Sequence, residues 1–150
     1  MISVDRFTPG AQEIAQQAAG IMQRYGHHQI DTEHLLLALL EQPQGGIFQL
    51  LKFLHVDPTA LSDQLDALLR TAPDSDIVEV RPGQFSITPR LARILELADE
   101  ECRRMNDEHI STEHIFLEIF HEQDTPSARL LQEAGLTRDR VSEAIRQLRG

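Results

Sequence analysis

Apolar residues recur at helical spacing in eight blocks along the 150-residue chain, and the blocks fall into two sets of four. The first block places Ile14, Ala18, Ile21, Met22 and Tyr25 on one face. Thr8 stands ahead of it as an N-cap, and Pro9 takes the first helical position, where its missing N–H costs nothing. Gly26 ends the block by supplying a left-handed residue. The fifth block follows the same plan: Thr88 caps, Pro89 follows, and Leu91, Ile94, Leu95, Ala98, Cys102 and Met105 form the stripe. Asn106 stands where Gly26 stood, and Asn is the next-best residue for that conformation.

The second block begins at Asp31 or Thr32 and carries Leu35, Leu36, Leu37, Leu39 and Leu40; the sixth begins at Ser111 or Thr112 and carries Ile115, Phe116, Leu117, Ile119 and Phe120. Both are apolar on nearly every side, which predicts the central, buried helix of each set. Short third helices are expected near 47–54 and 126–134. Fourth helices open at Asp57-Pro58 and at Thr137, with Leu61, Leu65 and Leu68 and then Val141, Ile145 and Leu148 as their buried residues.

The two sets are one unit written twice. Residues 7–70 return as 87–150 without insertion or deletion, with about fourteen identities at a constant offset. Between them, residues 71–86 hold Pro73, Pro82, Gly83 and several acids. Ile77-Val78-Glu79-Val80 has extended character but is closely bounded by Pro82 and Gly83, so the stretch reads as a linker and not a domain boundary. Each repeat alone is near the size at which a core becomes marginal. The expected fold is therefore all-α: eight helices as two pseudo-symmetric four-helix repeats packed into one domain.

Composition narrows the function. The formal net charge is -10, which disfavours nucleic acid and anionic membranes and makes a basic ligand or basic polypeptide the better electrostatic partner. The single cysteine, Cys102, forms no internal disulfide and falls on an apolar stripe, as an inert core thiol does. No leader and no membrane-length apolar run is present, and the expected setting is cytoplasmic.

Candidate chemistry is sparse. The one lysine, Lys52, has no glycine pattern before it, so a phosphate-binding loop is missing. His114, Glu118 and His121 share a helix face at ligand-compatible spacing, but their counterparts are His34, Ala38 and Glu41, and no His-Glu-x-x-His motif forms. They read first as structural residues, and a small metal enzyme is the remote alternative. Thr32-Glu33-His34 returning as Thr112-Glu113-His114 is more informative. Capping by Asp31 or Ser111 with Glu33 or Glu113 in the first turn explains acids there. It does not require the same Glu twice, so carboxylates near the cap hydroxyls of Thr8 and Thr88 are also candidate sites for cationic or polar groups.

Phe7-Thr8-Pro9, Gly26-His27 and the run from Ile30-Asp31-Thr32-Glu33-His34 through Leu40, with their second copies, resemble the Clp N-terminal domain. This is the duplicated helical module at the front of the AAA+ unfoldases ClpA, ClpB and ClpC. The resemblance spans essentially the whole chain, and the ending from Gly135-Leu136-Thr137 onward is most similar to ClpB. It implies a non-catalytic module that docks unfolded or aggregated polypeptide, or adaptor proteins, for an ATP-driven ring. In ClpB-like members a groove between the repeats receives polypeptide, with edge residues matching Thr8, Asp107 and Glu113. In ClpC-like members the matching Glu33 and Glu113 bind phosphorylated arginine. The family's two ATPase modules are absent, so ATP is expected only there, no cofactor is expected in this chain, and hexamer formation would come from those modules. Taken alone the chain is expected to be monomeric, either the front domain of a longer protein or a stand-alone accessory.

Overall fold

The computed structural model describes residues 3–71 and 86–149. A 3-10 turn at Val4–Arg6 leads into α1 (Pro9–Arg24), β1 (Gln29–Ile30), α2 (Thr32–Leu40), α3 (Gly46–Phe53) and α4 (Pro58–Thr71). After the linker come β2 (Ser86–Ile87), α5 (Pro89–Arg104), α6 (Thr112–Ile119), α7 (Pro126–Glu133) and α8 (Arg138–Arg149). The eight helices match the sequence pattern. Ile77–Val80 lies outside the described residues.

Local chemistry sets the helix ends. Thr8 accepts the Ala11 N–H and Thr88 the Leu91 N–H through their side-chain oxygens, each with proline at the next position. Four helices, α1, α3, α5 and α7, end with one residue at positive φ: Gly26, His55, Asn106 and Gly135. In each, the following N–H reaches back into the last turn, as His27 to the Met22 carbonyl and Val56 to the Leu51 carbonyl. These are Schellman closures, and they turn the chain sharply so that the next helix folds back.

Helix α2 is buried from Thr32 to Leu40, and α6 from His114 to Ile119. In the second repeat Phe116 and Phe120, where the first has Leu36 and Leu40, meet edge to face at 5.7 Å between ring centroids. Helix α3 meets α6, α2 meets α7, and α4 meets α7, so elements of both repeats join around one apolar cluster. The repeats also exchange backbone. β1 pairs in parallel with β2, and the Thr88 N–H donates to the Ile30 carbonyl at 3.0 Å. In the same sense Phe7 bridges Ile110, and the Thr8 N–H donates to the Ile110 carbonyl at 2.9 Å. Each repeat's leading segment thus pairs with the strand that precedes the central helix of the other.

Two expected core positions are surface instead. Leu68 is 38% exposed and Leu148, its counterpart, 53%. On α4 the buried row is Leu61, Leu65 and Leu69, which puts Leu68 on the shoulder; on α8 it is Val141, Ala144 and Ile145, and Leu148 lies a turn beyond. Among the described residues, no helix is long and apolar enough to cross a membrane.

Candidate functional site

Both Thr-Glu-His motifs sit at the start of a central helix, and their histidines complete the caps. The Asp31 N–H donates to His34 Nδ1 and the Ser111 N–H to His114 Nδ1, each at 2.8 Å. The histidine does from N3 what Glu or Gln does in an ordinary capping box. With Nδ1 accepting, the ring proton lies on Nε2. In the first repeat it points at His27 Nδ1, 2.8 Å away; in the second it points at Asp107 Oδ2, 2.7 Å away. His27 and Asp107 are counterparts. Burial pushes His34 down to about 4, with the neighbouring His27 acting in the same direction.

The acids after the caps have diverged. In the first repeat Arg90 of α5 lays its guanidinium against Asp31, Nε to Oδ1 and Nη2 to Oδ2, both at 2.7 Å. The same Nη2 reaches Glu33 Oε1, while Ser127 of α7 donates to Glu33 Oε2 at 2.7 Å. The Thr88 hydroxyl donates to Asp31 at 2.8 Å. Burial would raise Asp31, but the bonds from Arg90, the Thr32 N–H and Thr88 hold it below the usual carboxylate range; burial keeps Glu33 above it. Glu33 is buried with both oxygens taken, and the first repeat presents no open carboxylate pocket there.

For the second repeat's acid site the counterpart of Arg90 is Gly10 and that of Ser127 is Ile47, both supplied by the first repeat. A cavity of about 270 Å³ opens beside Gly10, Glu13, Ile47 and Thr112. Glu113 instead meets Arg149 of α8 at 2.9 Å, and Arg149 also holds Asp107 at 3.0 Å. Asp107 and Glu113 are therefore brought together through Arg149, at the surface. Thr8 caps α1, and its backbone joins Ile110.

The residues weighed as metal ligands diverge in the same way. His114 is committed to Ser111 and Asp107, Glu118 to Arg138 at 2.8 Å, and His121 is exposed. Among the described residues, no group of three His, Cys, Asp or Glu is arranged to hold a metal ion. The Cys102 thiol is buried, raised by that burial, and 3.2 Å from the Asp107 carbonyl.

A different feature is apolar. Between α4 of the first repeat and α7 of the second runs a groove of about 700 Å³, walled by Ala67, Leu68, Pro126 and Leu130, with Gln64, Arg129 and Glu133 at its polar margin. Leu68 stands out from this wall, which is why its core spacing in the sequence misled.

The model of the Clp repeat N-terminal domain matches residues 6–134. The chain belongs to this family. It is 32% identical over 150 residues to the chaperone protein ClpB of Nitratidesulfovibrio vulgaris, covering 99% of this chain and 17% of that protein. The crystal structure of the Hsp104 N-terminal domain from Candida albicans superposes with a TM-score of 0.78 at 19% identity, covering 96% of this chain and 91% of that one. The ClpV N-domain in complex with a VipB peptide superposes with a TM-score of 0.70 at 18% identity, covering 90% and 81%. As a Clp N-terminal domain, this chain spans about a sixth of the length of its ClpB relative. Sequence reasoning named Thr8, Glu33, Thr88, Asp107 and Glu113, but gave Asp31 only a capping role and passed over Arg90, Ser127 and Arg149. The signal was available as differences between the repeats, Arg90 against Gly10 and Asp31 against Ser111.

Proposed function

We propose that this chain is a docking domain of a ClpB-type AAA+ chaperone, which captures exposed segments of unfolded or aggregated polypeptide, directly or through adaptors, for the ATP-driven ring. The observation that carries the reading is the apolar groove between α4 and α7, left open among the described residues, with Leu68 38% exposed on its wall. An extended or helical segment gains there by burying apolar side chains, while the polar margin keeps the contact weak and reversible. A weak site is enough for a tethered module, because it raises the local concentration of substrate at the ring. The peptide complex of the ClpV N-domain supports the same use of this fold. Asp107 and Glu113, with Thr8, are assigned to a second, polar contact zone for basic groups, consistent with the net charge of -10.

The test is equilibrium binding of a reduced, alkylated model protein by fluorescence anisotropy. Leu68→Asp removes about 1 kcal/mol of recoverable burial and should weaken binding roughly five-fold. Leu68 is a surface residue, so the melting temperature should hold. An unchanged Kd in a folded Leu68→Asp variant overturns the groove assignment. Glu113→Ala tests the polar zone directly. Thr8→Ala needs a stability control, since Thr8 caps α1 and its loss costs about 1 kcal/mol.

A further inference from the structure

The duplication supplies an internal control for the first acid site. In the first repeat a guanidinium lies against Asp31 through two 2.7 Å bonds and touches Glu33, whose other oxygen is held by the fully buried Ser127. That guanidinium comes from Arg90, at the second residue of α5 in the other repeat. The counterpart of Arg90 is Gly10, which sends no side chain toward the start of α6, and space for a Cβ there is open. Arg90 therefore does something to the first repeat that nothing does to the second from that position.

We infer that Arg90 is the resident ligand of the first repeat's acid site, an autoinhibitory plug that closes Asp31 and Glu33 to cationic groups of any partner. The geometry is that of ligand recognition. The bidentate contact to Asp31 uses the fork of a guanidinium, which an ammonium does not reproduce. The plug is delivered from a helix already fixed by its Thr88 cap, and the Thr88 hydroxyl itself bonds Asp31, so Arg90 competes at very high effective concentration. An outside cation would have to displace a tethered one. The consequence is an asymmetric module: cationic contacts with a partner fall to the second repeat, where Glu113 is held by the exposed Arg149. This consequence rests on the docking reading; the plug itself does not.

Chemical rescue tests it without any partner. Arg90→Gly copies the residue at position 10 and should lower the melting temperature by about 10 °C, because the buried Glu33 and the half-buried Asp31 lose their cation. Ethylguanidinium chloride at millimolar concentration should restore several degrees of that loss by mass action. Ethylammonium chloride at equal ionic strength should not, and the wild type should gain less than the variant from either salt. If Arg90→Gly does not fold in buffer, the two salts are compared during refolding and the return of the helical signal is read. Equal effects of the two salts, or none from ethylguanidinium, overturn the inference. That result would leave groove binding by Leu68 untouched, so the two readings fail separately.

Discussion

Replacing Arg138 by methionine should destabilise the domain by about 2–3 kcal/mol, although Arg138 is 38% exposed and lies at the first position of a terminal helix. Its guanidinium reaches Glu118 at 2.8 Å and Glu101 at 3.2 Å. Both acids are nearly sealed from water, Glu101 at 8% and Glu118 at 5% exposure. Glu101 keeps a second partner in Arg104, but Arg138 is the cation that Glu118 meets. Breaking a fully buried pair by removing one member costs roughly 3–5 kcal/mol, and the exposure of Arg138 reduces that to the lower figure through solvent screening. Methionine preserves most of the stem, so lost packing contributes little.

The first repeat shows what the same place looks like without charge. The counterparts of Glu101, Glu118 and Arg138 are Ile21, Ala38 and Pro58, all buried. Transplanting them as Glu101→Ile, Glu118→Ala and Arg138→Pro removes both buried acids and the arginine between them, leaving only the exposed Arg104 in water, and proline is suited to the first helical position. The triple variant should lie within about 1 kcal/mol of the wild type, because an ion pair replaced entirely by apolar residues is close to neutral. Urea unfolding followed by helical circular dichroism at pH 7 measures both. A loss below about 0.5 kcal/mol for Arg138→Met, or a triple variant as damaged as the single one, refutes the reasoning.

Two further outcomes follow from the helix ends. His34 titrates near 4 in the fold against an ordinary 6.5, so the fold binds fewer protons between those values. Its contribution is present above about pH 6.5 and is lost as pH falls toward 4, by up to about 3 kcal/mol. His34→Gln keeps a cap acceptor without titrating, so the stability gap between wild type and variant should change across that window in urea titrations; a gap constant with pH contradicts it. His55 holds φ at 61° where the second repeat has Gly135, so His55→Gly should raise stability by about 0.5–1 kcal/mol, or the melting temperature by a few degrees. A lowered melting temperature would show that the His55 side chain makes a contact outweighing its backbone cost.

Much of the fold was legible because it rests on local chemistry. Thr8-Pro9 and Thr88-Pro89 open helices, Gly26 and Asn106 close them, and the all-round apolar runs of α2 and α6 announce burial. His55 was harder to read as a terminator, because histidine takes the left-handed region less readily than Gly or Asn, and the clearer mark lay in its counterpart, Gly135. The cap role of His34 and His114 was hidden for a related reason: the familiar box has Glu or Gln at N3, and imidazole accepts there only through Nδ1. Leu68 and Leu148 show the limit of periodicity. On helices whose apolar stripe is one residue wider than the contact, spacing does not tell which edge the neighbouring helix covers.

The site was harder to read because its decisive contacts are long-range and break the symmetry that made the fold readable. Glu33 and Glu113 are identical in the sequence, yet one is buried under Arg90 and Ser127 and the other is held at the surface by Arg149. What separates them is the identity of residues far away in the chain, Arg90 against Gly10 and Arg149 against Leu69. Duplication keeps the backbone and the caps equivalent, because each repeat needs them to fold and to exchange its leading segment with the other. It places no such demand on side chains crossing between repeats. Those positions were free to diverge, and among the described residues they leave one acid site closed by its own arginine, one accessible at the surface, and an apolar groove open between α4 and α7. Function in a duplicated domain is therefore best sought where the repeats disagree.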